Sequence, residues 1–151
     1  MRSALVFVLL SAFIQPIFAA DFTGIWNIDI CSDQDKKSCG EAEFSLIQKG
    51  TIICGDHSFY PAGLSRVNEG EPGSVRGTVV GDTAVLVVRS GRNGAIVLGT
   101  ARLAGSNLDW KYLNVEILPG DPPGDDLILD SSLLHRKSKK ILDMKLLKAC
   151  G

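Results

Sequence analysis

The chain has 151 residues, 45% of them hydrophobic, with 16 basic and 17 acidic side chains and a formal charge of −1. That balance is not the footprint of a nucleic-acid binder, which needs a basic face. The length suits one domain with one core.

Residues 1–20, MRSALVFVLLSAFIQPIFAA, start with Arg2, run apolar from Ala4 to Phe18 and end on Ala19-Ala20. A short positive start, an apolar middle and small residues at the end make a secretory signal peptide. A membrane helix needs about 20 apolar residues in a row, and Gln15-Pro16 interrupt this run. The expected location is therefore periplasmic or secreted, with residues 21–151 as a single domain and no transmembrane segment after signal cleavage. All four cysteines, Cys31, Cys39, Cys54 and Cys150, fall in that exported part. An even count in a small exported domain predicts two disulfides. Three pairings exist. Cys31 and Cys39 bracket one polar loop and are paired on that ground, and Cys54–Cys150 follows by elimination. No pair has metal-ligand spacing, and neither histidine is placed to complete a site.

Phe22–Ile30 opens the domain with period-two alternation. Phe22, Gly24, Trp26, Ile28 and Ile30 share one face, the mark of a half-buried strand. Gly24 leaves room for a close neighbour beside Trp26. The Gly24-Ile25-Trp26 segment resembles the first strand of the calycin group, the lipocalins, avidin-like proteins and their relatives. The resemblance implies an up-and-down β-barrel of about eight strands. It also implies Trp26 as a plug at the closed end, with Arg136 as its partner from the last strand, and an apolar small molecule as a possible cargo.

Cys31–Gly40 reads as a charged loop. Ala42–Gln48 alternates with Phe44 and Leu46 inward, Lys49-Gly50 turns, and Thr51–Gly55 returns. The span 56–73 is expected to be irregular. It carries Phe59, Tyr60 and Arg66, residue types that anchor protein interfaces. Four apolar runs follow: Val75–Val80, Thr83–Arg89, Ala95–Leu103 and Leu108–Tyr112. Gly/Asn/Asp turns separate them, which is the hairpin signature. Asn114–Leu118 is expected as a short further strand. Pro119–Asp126 holds three prolines and two glycines and cannot be regular structure. Leu127–Arg136 is expected as the closing strand. Lys139–Lys148 shows helical spacing of Leu142, Leu146 and Ala149, too short to stand alone. Its clustered lysines read as a solvated face, with an anionic surface as the alternative. The predicted fold is all-β: an antiparallel up-and-down barrel of about eight strands with a short C-terminal helix. A β-sandwich is the alternative.

No catalytic motif appears. Cys54-Gly55-Asp56-His57 gathers thiol, carboxylate and imidazole, but a disulfide would cap the thiol. His135 sits on a predicted strand. Asp121, Asp125 and Asp126 lack the regular oxygen spacing of a calcium loop. Ser90-Gly91-Arg92-Asn93-Gly94 is similar to the Ser-Gly hairpin with which some bacterial periplasmic lysozyme inhibitors plug an enzyme cleft. Ser90 and Gly91 carry that likeness, and the tyrosine that follows them in that family is absent. The expected function is a non-enzymatic exported binding protein without a cofactor. Its expected role is an inhibitor or immunity protein that blocks a cell-wall (peptidoglycan) hydrolase. Phe59, Tyr60, Arg66, Ser90, Arg92 and Asn93 are its candidate contacts. A calycin-type carrier of an apolar ligand is the alternative.

Overall fold

The computed structural model describes residues 20–31, 38–63, 66–116 and 127–151. The expected leader, the loop interior at 32–37 and the proline-rich stretch at 117–126 lie outside the described residues. The described residues form nine strands and one helix: β1 (Gly24–Ile30), β2 (Gly40–Lys49), β3 (Ile52–Tyr60), β4 (Asn68–Glu69), β5 (Val75–Val80), β6 (Thr83–Arg89), β7 (Ile96–Ala104), β8 (Asn107–Glu116), β9 (Ser132–Ser138) and α1 (Met144–Ala149). Every pairing is antiparallel. β1 pairs with both β2 and β9, and β2 with β3, so eight strands close a ring in chain order with β4 as an extra strip. Closure leaves no long edge open for pairing with another chain.

The two ends of the barrel differ. At one end three two-residue turns, Gly50-Thr51, Gly81-Asp82 and Gly105-Ser106, join paired strands. Their glycines have φ of 61°, 64° and 64°, the first-position glycine that type II′ hairpins require. This is the turn end. All longer connections gather at the opposite, loop end: Ile30 to Gly40, Tyr60 to Val75, Arg89 to Ile96 and Glu116 to Ser132.

Alternation along each strand sends one set of side chains inside. Trp26, Phe44, Leu46, Ile53, Leu86, Val97, Leu108, Trp110 and Leu134 are buried there. The rings of Phe44 and Trp110 meet edge-on with centroids 5.2 Å apart. β2 and β8 are separated by two strands on one side of the ring and four on the other. Contact between them therefore fills the interior at that level. At the turn end, buried Phe22 donates its N–H to Gln48 Oε1, and its carbonyl accepts from Trp26 Nε1. The Arg136 guanidinium lies 4.1 Å over the Trp26 ring, a cation–π contact and the contact that the Gly-x-Trp resemblance implies. A Cβ at Gly24 would press on the Ser138 carbonyl oxygen at 2.7 Å, which is the close approach expected there. At the loop end Ile128 and Leu129 turn inward, and the Leu129 carbonyl accepts from Trp110 Nε1.

Both disulfides form as expected, Cys31–Cys39 and Cys54–Cys150. Cys54 faces outward from β3, where Cys150 and Leu146 of α1 cover it with Ile47 and Ile141. The second bridge spans 96 residues; closing so long a loop is worth up to about 4–5 kcal/mol in the chain-entropy model.

Several boundaries differ from the sequence reading. Asp56–Tyr60, expected to be irregular, continues β3, because β2 supplies partners up to Glu41↔Tyr60. Pairing with a long neighbour overrides the weak β-propensity of Gly, Asp and Ser. Residues 114–116 continue the meander as strand, as an extension of β8 past an irregularity opposite Leu98/Gly99. β9 begins at Ser132, not Leu127, because Leu127 has φ 44° and the two residues after it plug the barrel. The helix holds six residues, shorter than Lys139–Lys148, and Leu142 and Ala149 are exposed while Leu146 alone faces inward.

Candidate functional site: the loop end of the barrel

β3 carries its edge partners in two blocks. Ile52–Gly55 pair with β5, and Ser58–Phe59 pair with β4. The chain between β4 and β5 stays tied to β3 by Gly70 N donating to the His57 carbonyl at 2.8 Å and Gly73 N to the Gly55 carbonyl at 2.9 Å, and a cleft of about 520 Å³ lies between it and the β6–β7 connection. Glu69, Glu71, Ser74, Arg89, Ser90 and Gly91 are among its walls.

One side chain ties these segments together. Asn68 is fully buried. Its Oδ1 accepts from Gly91 N at 2.9 Å, and its Nδ2 donates to the Leu127 carbonyl at 3.0 Å. The connections before β5, after β6 and before β9 are thus fixed to one amide. Arg92 adds a second tie, donating from Nη1 to the Val67 carbonyl at 3.3 Å. The two loops singled out in the sequence are therefore in contact.

The six candidate contacts are placed unequally. Phe59 points inward and packs on the core, while Tyr60 points outward from the end of β3. The Tyr60 hydroxyl donates to Glu41 Oε2 at 2.9 Å, which raises its pKa. Glu41 in turn accepts from Asn27 Nδ2 and from Lys137 Nζ, which also reaches Glu43. These donors, Asn27 first, hold the Glu41 carboxyl below its usual range. A half-exposed aromatic held by such a network is pre-oriented. Arg66 and Arg92 are exposed on neighbouring loops. Ser90 and Asn93 mainly build the hairpin. Ser90 is buried, and its Oγ accepts from Arg92 N, while Asn93 Oδ1 accepts from Ala95 N.

His57, expected in an irregular span, is an interior group. It faces Phe44 across β2 and β3 and is almost wholly buried. Its Nδ1 lies 3.1 Å from Ser74 Oγ, on the cleft wall, and Nε2 has no hydrogen-bond partner among the described residues. Burial pushes its pKa down to about 4, and neighbouring Asn68 opposes this only in part. The imidazole is neutral near pH 7. Such a weak base is poorly matched to general-base work at that pH. Strand alternation places Asp56 on the outer wall, away from His57. Burial first, then the charge of Asp143, pushes its carboxyl up to about 6.

No family model matches the sequence, and neither the curated proteins nor the solved structures give a significant match.

Asn68 escaped the sequence reading because a lone Asn in a polar stretch has no pattern. Its position two residues from the exposed Arg66 gave no sign of burial. Among the described residues no cluster of His, Cys, Asp or Glu could hold a metal, and no helix is long and apolar enough to cross a membrane.

Proposed function

We propose that the protein is an exported, non-enzymatic binding module whose loop end engages and blocks another protein, with cell-wall hydrolases as the partner class. The observation that carries this reading is the buried Asn68, which fixes three connections around one cleft. Loops ordered before an encounter lose less entropy on binding. Tyr60, held by Glu41, and Arg92, held against Val67, supply an aromatic and a cationic anchor at the same end of the barrel. The apolar leader, the disulfides and the Ser90-Gly91 likeness support an envelope target. The contact of Phe44 with Trp110 fills the interior that a carrier would need, which favours protein binding over the apolar-ligand alternative.

The test is a panel of lysozymes and peptidoglycan amidases assayed on purified cell wall with micromolar protein added. The proposal expects at least one enzyme to be slowed, and slowed less by the Tyr60→Ala/Arg92→Ala variant. Unchanged rates across the panel would contradict it.

A further inference from the structure

The lysines near the C-terminus are not part of the loop end. α1 is stapled to the outside of β3 through Cys54–Cys150, and Cys54 lies opposite Ile47, close to the Gly50-Thr51 turn. The helix therefore sits toward the turn end of the barrel. Only Leu146 and Cys150 of this segment are buried against the wall. Leu142 is 80% exposed, Met144 75% and Leu147 38%. Met144, Lys145, Leu147 and Lys148 line one shallow depression on the outer surface.

At 100° per residue, Leu146 and Cys150 define the inner side of α1. Lys148 then points straight outward, with Met144 and Lys145 on either side of it and Leu147 at the margin next to Met144. Lys139 and Lys140 are exposed in the preceding turn. Asp143 is the lone acid between residues 139 and 148, and its carboxylate is engaged in capping the helix through Lys145 N and Leu146 N. Asp56, a carboxylate near Asp143, lies on the barrel wall, with Glu43 beside it. Ile52 and Val80 add further exposed apolar surface at the turn end, next to exposed Lys49.

We propose that this C-terminal segment is an interfacial contact for an anionic lipid surface. Exposed Leu and Met flanked by lysines have the two components such a surface rewards: apolar side chains for the acyl boundary and cations for the headgroups. A single exposed Leu would need no explanation. Three large apolar side chains within six residues, set among four lysines, do. The barrel lies flat on the bilayer through the outer side of α1, and the loop end is left clear to meet a partner. A disulfide at Cys150 keeps the short helix formed and oriented when it leaves water.

The test is vesicle co-sedimentation of the full chain as processed by its secreting host. Vesicles of phosphatidylcholine alone are compared with vesicles containing phosphatidylglycerol. The proposal expects binding to the anionic vesicles only, lost as salt is raised. Met144→Ser/Leu147→Ser should weaken it by roughly tenfold or more, and Lys145→Gln/Lys148→Gln by roughly tenfold. Arg92→Ala, at the loop end, should leave it unchanged. Circular dichroism and the emission of the two buried tryptophans check that each variant is folded. Equal binding to both vesicle types, no binding to either, or binding that survives both helix variants would overturn the proposal. So would vesicle binding that requires Arg92. Capture of acidic protein or nucleic acid in place of anionic vesicles would also count against it.

Discussion

Replacing Asn68 with Ala should loosen the loop end more than any surface change nearby. The substitution deletes the hydrogen bonds from Gly91 N and to the Leu127 carbonyl. Each contributes about 1 kcal/mol net, and an abandoned partner that water cannot reach costs a further 1–3 kcal/mol or so. Gly91 is exposed and its amide can rehydrate, whereas Leu127 is half-buried beside the Ile128–Leu129 plug. The expected loss is therefore about 3–5 kcal/mol, the two lost bonds together with the stranded Leu127 carbonyl. Urea unfolding should show a lower midpoint with an unchanged m-value, and amide exchange at Gly91 should accelerate sharply. Asn68→Asp separates the two bonds. It keeps the acceptor for Gly91 but sets a carboxylate oxygen against the Leu127 carbonyl. It should be worse than Ala at pH 7 and recover as acid protonates it. Variants within a few tenths of a kcal/mol of the wild type, or Gly91 exchange unchanged, would refute the role given to this residue.

Three further outcomes are expected. Asp56 has its pKa raised from 3.8 to about 6, so the folded state takes up the proton first and wild-type stability rises as pH falls through 6. Asp56→Asn should therefore stabilise above pH 6 and lose that advantage near pH 4; for a carboxyl this exposed the gain is about 1 kcal/mol after solvent screening, read from urea melts across pH. His57 has its pKa lowered from 6.5 to about 4, so the unfolded chain binds the proton first and stability falls as pH drops through that window. The loss approaches about 3 kcal/mol at the acid limit, and a His57→Gln variant should remove this slope when melts are repeated across pH. Cys54→Ser/Cys150→Ser, which opens the 96-residue loop, should lower stability by up to about 4–5 kcal/mol. Thermal unfolding measures it, and an unchanged melting temperature would contradict the staple.

Much of the barrel is written in its strands. Trp26, Phe44, Leu46, Leu86 and Trp110 fall on inward positions by alternation alone, and Gly50, Gly81 and Gly105 mark the turns. Both disulfide pairings were also legible, one by proximity and one by what was left. The loop end was not, because its order comes from contacts distant in sequence. Asn68 reaches Leu127 across 59 residues, and no local pattern reports that. Leu127–Leu129 look like strand by composition, yet they serve as a plug, because burial inside a closed ring selects apolar residues whatever the backbone does. The extension of β3 through His57 was hidden for a related reason: its partner strand, not its own residues, sets its length.

The most direct test of the central claim is a titration of a peptidoglycan hydrolase with wild-type protein and with the Tyr60→Ala/Arg92→Ala and Met144→Ser/Leu147→Ser variants. Soluble cell-wall fragments serve as substrate so that no bilayer is present. The account predicts saturable inhibition by the wild type, retained by the helix variant and weakened by the loop-end variant. Inhibition that is indifferent to Tyr60 and Arg92, or no inhibition of any hydrolase tested, would contradict it.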